Sequence, residues 1–274
     1  MSIPSFTDGF HGGDPLKPRI LILEVRDKDR PDGEAIEWIV VERIETYEQH
    51  HGSAKVDTAS IQLSYQRLST GGSGHGDQGR FYGSYSRHWN CVSLSASSAG
   101  SRGAIFMDLS GMKGQRIGTY LLNEIVRWVK QWPEADVKRI ELVSGQAGSD
   151  EARNRRNSFY ERFGIAFDYT DAEHRAGFSR VMKAGELNQV ESWRANIIEH
   201  RVDHYLASSH VRTSRLKLEL ADSERRRKKI ADELNVAFRK PLRWVLGILY
   251  ARQSGLLGLS LMVLMLASAL WYRW

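Results

Sequence analysis

Residues 113–122, KGQRIGTYLL, carry the pattern in this chain best suited to chemistry. Gly114 and Gly118 bracket three bulkier residues, and a helical-looking run, TYLLNEIVRWV, follows at once. A basic, glycine-bearing turn against the first turn of a helix can aim several backbone N–H groups at one anion, and the helix dipole adds partial positive charge there. The chemistry would be phosphate binding; the alternative is a turn that only redirects the chain. Just upstream, Asp108 stands in GAIFMDLS where a strand would carry an apolar residue. Its carboxylate is a candidate base in a cleft, or a strand-end polar residue. HRVDH sets His200 and His204 one helical turn apart with Asp203 beside them, a spacing that could hold a metal ion. No third ligand stands at a suitable spacing, so no metal is expected. TGGSGHGDQGR holds Gly74, Gly76 and Gly79 at dinucleotide-fingerprint spacing, but RFYGSYSRHW follows in place of an amphipathic helix, so a surface loop is the better reading.

The elements that must position the turn are legible as patterns. RILILEVRD and EAIEWIVVERIETYE read as strands separated by a turn at KDRPDG, and SIQLSYQRLS, HWNCVSLSA and GAIFMDLS as further strands. After the turn, Tyr120, Leu121, Ile125, Trp128 and Val129 recur at helical spacing, so one face of that helix packs on a sheet. A strand at KRIELVS, a helix over DEARNRRNSFYERFG and a final strand at GFSRVMKA follow. The expected class is α+β with α/β character. It would comprise a mixed central sheet flanked by helices over residues 18–185, after a flexible N-terminus at 1–17.

Composition bounds the rest. Of 274 residues, 41% are hydrophobic, as in an ordinary globular protein, and Lys and Arg exceed Asp and Glu by 39 to 33. The whole excess of +6 falls between Arg212 and Arg243, so the domain before it balances and a nucleic-acid partner is not expected. Cys91 is the only cysteine, which excludes an internal disulfide. Residues 186–240 read as a helical, basic stalk. Val202, Leu206, Ser209, Thr213, Leu216, Leu220, Ser223, Arg227, Ile230, Leu234 and Ala237 alternate four and three apart, which suggests a coiled coil and a homodimer. ERRRKKI fits a solvated helix face, or one near anionic lipid. Pro241 breaks the helix, and residues 241–253 could lie along a membrane interface. Ser254 to Tyr272 is free of formal charge and long enough to span a membrane at ~1.5 Å per residue. With basic residues concentrated before it, the expectation is a single-pass tail anchor with the N-terminal domain cytoplasmic, at an inner membrane if the chain is bacterial.

Two motifs in order resemble the GNAT acetyltransferase superfamily. One is Q/R-x-x-G-x-G/A at a strand-to-helix turn, onto which Lys113, Gly114, Arg116 and Gly118 fall, with Arg116 replacing the middle glycine. The other is an N…FYE+xGF helix, matched by NRRNSFYERFGIAF with Asn154, Phe159, Tyr160, Glu161 and Gly164, and Ile165 in place of the last Phe. The resemblance covers about residues 100–184. It implies acetyl-CoA as cosubstrate, cradled by Leu109, Lys113, Gly114, Gln115, Arg116, Ile117, Gly118 and Thr119, with Asn154 or Asn157 (Asn154 preferred) on the CoA arm. Backbone amides of a splayed strand would polarise the thioester carbonyl. The resemblance also implies Tyr160 as the acid that protonates the departing thiolate, and acyl transfer to an amine on a small molecule or a protein near the membrane. Asp108, Glu141 and Glu42 are the possible bases. A degenerate fold that binds acyl-CoA or serves as a membrane adaptor is the alternative.

Overall fold

The computed structural model describes residues 10–11, 14–15, 18–49, 55–68, 78–98, 109, 111–251, 265, 268 and 271. Two compact units divide it, Met1–Leu206 and Ala207–Trp274.

The first unit is built on a long antiparallel meander. Strand β1 (Ile20–Asp27) is almost continuously apolar and almost continuously buried, as a strand covered on both faces must be. A two-residue turn at Lys28 and Asp29 leads into β2 (Arg30–Gln49), whose register with β1 jumps from Asp27↔Arg30 to Arg26↔Ala35, so the rest of the expected turn is a bulge at residues 31–34. In β3 (Val56–Arg67) burial alternates strictly, with Ala59, Ile61, Leu63 and Tyr65 inward. β4 (Gln78–Ser86) and β5 (Cys91–Ser93) complete the antiparallel run.

Helix α1 (Ile117–Val129) follows, and β6 (Asp136–Val137) then pairs parallel with β5 through Cys91↔Asp136 and Val92↔Val137. Such a parallel pair needs a crossover, and α1 supplies it. All but one residue of α1 is buried, because the sheet covers one side and residues 190–199 the other. Gly83 lies directly beneath it: a Cβ there would sit 2.8 Å from the Ile125 side chain and 2.9 Å from that of Ile61.

Past β6 the chain leaves β5. Its next strand, β7 (Glu141–Leu142), enters a second sheet with β8 (Phe167–Tyr169) and β9 (Gly177–Ser179), in the order β8-β9-β7. Helix α2 (Asp150–Arg162) connects β7 to β8 and packs Tyr160 against Phe167. Ser149 caps it, its hydroxyl accepting from the Ala152 N–H at 3.1 Å.

The large sheet is closed by a strand that the sequence pattern hid. β10 (Ile197–Arg201) pairs antiparallel with β1, giving seven strands in the order β10-β1-β2-β3-β4-β5-β6. Residues 186–201 therefore belong to the first unit, where Trp193, Asn196 and Ile197 are buried. His200 lies in this strand and hydrogen-bonds Glu24 at 2.8 Å, so it and His204 do not share a helix as HRVDH suggested. The stalk helix, α3 (Val202–Arg239), starts later than the composition implied, and a further helical run covers 241–251.

The end of the chain corrects the expected fold class and location. Among the described residues no helix is long and apolar enough to cross a membrane. The span assigned to a tail anchor, 254–272, lies outside the described residues except for Met265, Ser268 and Trp271. A charge-free run fixes length and polarity but not a spanning helix, so the transmembrane helix, the tail anchor and the single-pass membrane location are not supported.

Candidate functional site

The opening turn is built by backbone conformation. Gly111 (φ 74°), Gly114 (φ 85°) and Arg116 (φ 63°) are all left-handed. The two glycines adopt this freely; in Arg116 it is strained and needs external support. Support comes from residues distant in sequence. The Arg116 guanidinium donates to the Ser192 carbonyl at 2.8 Å and to Asn196 Oδ1 at 3.4 Å. Asn196 Nδ2 donates in turn to the Arg26 and Gln115 carbonyls at 3.0 and 3.1 Å, and Gln115 Oε1 accepts from the Lys28 N–H at 2.9 Å. The turn is thereby clamped to the β1–β2 hairpin and to the segment before β10.

Arg116 is also the N-cap of α1, and its side chain makes no cap hydrogen bond. The first N–H groups of a helix have no intrahelical acceptor, so those of Ile117, Gly118 and Thr119 emerge at an uncapped, dipole-positive end with no acidic residue in the first turn. Beside it opens a cavity of about 740 Å³ lined by Lys28, Gly114, Arg116, Arg162 and residues 188–192. Lys28 Nζ lies 3.8 Å from where a Gly114 Cβ would be. Three cations thus face one cavity. Among the described residues the only carboxylate on its wall, Glu191, is paired with Arg194 at 3.1 Å. The volume falls within the range of small-molecule sites.

The predicted site residues separate into groups. Gly114 and Arg116 line the cavity, Gln115 locks the turn, and Ile117, Gly118 and Thr119 form the buried helix start. Lys113 is exposed, Leu109 is buried, and Asp108 lies outside the described residues. Asn154 is exposed on α2 and accepts from the neighbouring Arg153 guanidinium at 3.1 Å. Asn157 is the buried asparagine, donating to the His174 carbonyl at 3.1 Å and so fixing the loop before β9. Of the other candidate bases, Glu42 is held by Arg19 at 2.7 Å and Glu141 is exposed in β7.

Tyr160 is buried between Phe159 and Phe167, with centroids at 5.2 and 5.4 Å. Burial pushes its hydroxyl up to about 12, against which the nearby Arg156 acts only weakly, so it stays protonated at neutral pH. Two residues later Arg162 reaches the cavity wall, so the end of α2 meets the turn. The FYERFGI motif itself has a plain structural content. The Ile165 N–H donates to the Tyr160 carbonyl at 3.2 Å and the Gly164 N–H to the Glu161 carbonyl at 2.9 Å, with Gly164 at φ 81°. That is the paired-bond Schellman stop of a helix, which favours glycine and rewards buried apolar neighbours.

Lys28, Arg162 and Asn196 were invisible to motif reading. Each reaches the turn through tertiary structure alone, and Asn196 is 170 residues from the Arg26 carbonyl it holds. Sequence and structure comparisons with known protein families, curated proteins and solved structures give no match.

Proposed function

We propose that this chain is an acetyl-CoA-dependent N-acetyltransferase acting on an amine acceptor. The observation that carries the reading is the cationic cavity at the uncapped start of α1. Its lining suits a diphosphate: the left-handed turn residues Gly114 and Arg116 with Lys28 and Arg162 around them, beside the positive end of the α1 dipole. Arg116 at the middle position of the turn does not oppose this, because its guanidinium is drawn aside to Ser192 and Asn196. Bound there, the cosubstrate would supply an activated thioester.

Lys28 and Arg162 would hold its phosphates by charge, against the turn at Gly114 and Arg116. The Tyr160 hydroxyl would keep a proton available for a thiolate leaving group. The order of β5, turn, α1, parallel β6, then a strand that leaves for a second sheet, agrees with the splayed-strand arrangement that the resemblance implies.

Binding without transfer is the second reading. It is favoured by the packing of Tyr160 between two phenylalanines. Calorimetric titration of acetyl-CoA into the full chain, beside a Lys28→Glu/Arg162→Glu variant, tests both. Micromolar binding lost in the variant, together with thiol release on adding an amine panel, supports transfer. Binding with no thiol release supports the second reading. No heat of binding in a folded chain sinks both.

A further inference from the structure

Helix α3 contains no buried residue, and five of the seven apolar members of its four-three repeat are evenly exposed: Leu206 55%, Leu216 57%, Leu220 61%, Ile230 57% and Leu234 52%. An isolated helix gains little from a stripe left in water, and such a stripe is normally covered by a second helix. What covers it can be read from the charges beside it.

In a parallel, in-register pair each seam residue meets its own copy. Arg227 would then oppose Arg227 inside the seam, and Ser209, Thr213 and Ser223 would each face themselves. The flanking positions would set Arg212 against Lys217 and Glu219 against Glu224, each twice. Like charges in these places destabilise a pair. The antiparallel alignment that sets Leu220 against Ser223 removes these like-with-like contacts, although it gives up the parallel pair's apolar self-layers and sets a polar residue against an apolar one in four of its five seam layers. Arg227 then meets Leu216, Thr213 meets Ile230, and Ser209 meets Leu234. The flanks become Arg212 with Glu233, Glu219 with Arg226, and Lys217 with Glu224, each occurring twice.

We infer that α3 is a homodimerisation helix that pairs antiparallel with α3 of a second copy, in the register that opposes Leu220 to Ser223. The contacts along the single helix are compatible with this pairing. Glu219 uses only Oε1 for Arg215, at 2.9 Å, which leaves its second oxygen for Arg226 of the other copy. The stretch from Leu206 to Ala237 gives about 46 Å of overlap at ~1.5 Å per residue, enough for several seam layers.

Disulfide trapping in the full chain tests the register. In a Cys91→Ser background, Ser209→Cys and Leu234→Cys are made singly and together, and oxidised. The double variant should form a covalent dimer, and neither single variant should. Cross-linking of Ser209→Cys alone would mean parallel pairing and overturn the proposal; so would no cross-link in any variant with a monomer in sedimentation at tens of micromolar. A charge exchange needs no seam mutation. Arg226→Glu should weaken the dimer several-fold, and Glu219→Arg with Arg226→Glu should restore it. If the double exchange is as weak as the single one, this register is wrong.

Discussion

The face of α1 that meets the sheet carries charge, and replacing Arg43 by methionine measures what holds the helix in place. Arg43 projects from β2 with its side chain only 14% exposed, and donates to Glu45 at 2.5 Å and to Glu124 of α1 at 2.8 Å. Burial alone would lower its pKa, but the two carboxylates outweigh burial and hold it above the ordinary range. Glu124 is 3% exposed, so methionine would leave a carboxylate in the core with its main partner removed. Breaking a buried pair from one side costs about 3–5 kcal/mol. The low end applies here for two reasons. Glu124 keeps Arg127 at 3.5 Å, and Glu45 keeps hydrogen bonds from the Tyr47 hydroxyl at 2.5 Å and Trp128 Nε1 at 3.1 Å. We expect Arg43→Met to lose about 3 kcal/mol at pH 7 in urea unfolding followed by tryptophan fluorescence. A loss below about 1 kcal/mol would show that water screens this network as it does a surface pair.

Two further predictions concern the same framework. Gly83→Ala should lower stability by about 1–3 kcal/mol, read as a lower thermal midpoint, since its methyl would collide with Ile61 and Ile125 side chains that are both fully buried. The Tyr160 hydroxyl is raised to about 12 from an ordinary 10.0. A raised folded value means that its contribution is complete below pH 10 and is lost as pH climbs through 12, about 3 kcal/mol in all. Tyr160→Phe should therefore flatten the alkaline limb of the stability profile between those values, and an unchanged limb in that variant would refute the assignment.

What the sequence made legible was local. The run TYLLNEIVRWV forms α1 because its apolar residues share one face, and the alternation in SIQLSYQRLS produces a strand with Ile61, Leu63 and Tyr65 buried in register. The glycine-bearing turn stands where its composition put it, because only glycine takes positive φ freely and two of the three such positions are glycine. KDRPDG keeps its turn chemistry inside a strand. β2 is continuous through RPDG, but its register with β1 jumps from Arg26↔Ala35 to Asp27↔Arg30, so Pro31, Asp32 and Gly33 bulge out of the pairing.

What was illegible was long-range, and the candidate site depends on it. IIEHR carries no strand signal stronger than its surroundings, but β10 completes the large sheet on the far side of β1. The Asn196 that precedes it ties the turn before α1 to the hairpin after β1, while Ser192 draws the Arg116 side chain aside. The same segment holds α1 from outside, through the Val190 N–H donated to Asn123 Oδ1 and the Tyr120 hydroxyl donated to Glu199. A motif can name the residues of a turn; it cannot say where a non-glycine side chain in that turn will go. Here that depends on a carbonyl 76 residues downstream, which draws the Arg116 guanidinium aside while Arg116 remains part of the cavity wall.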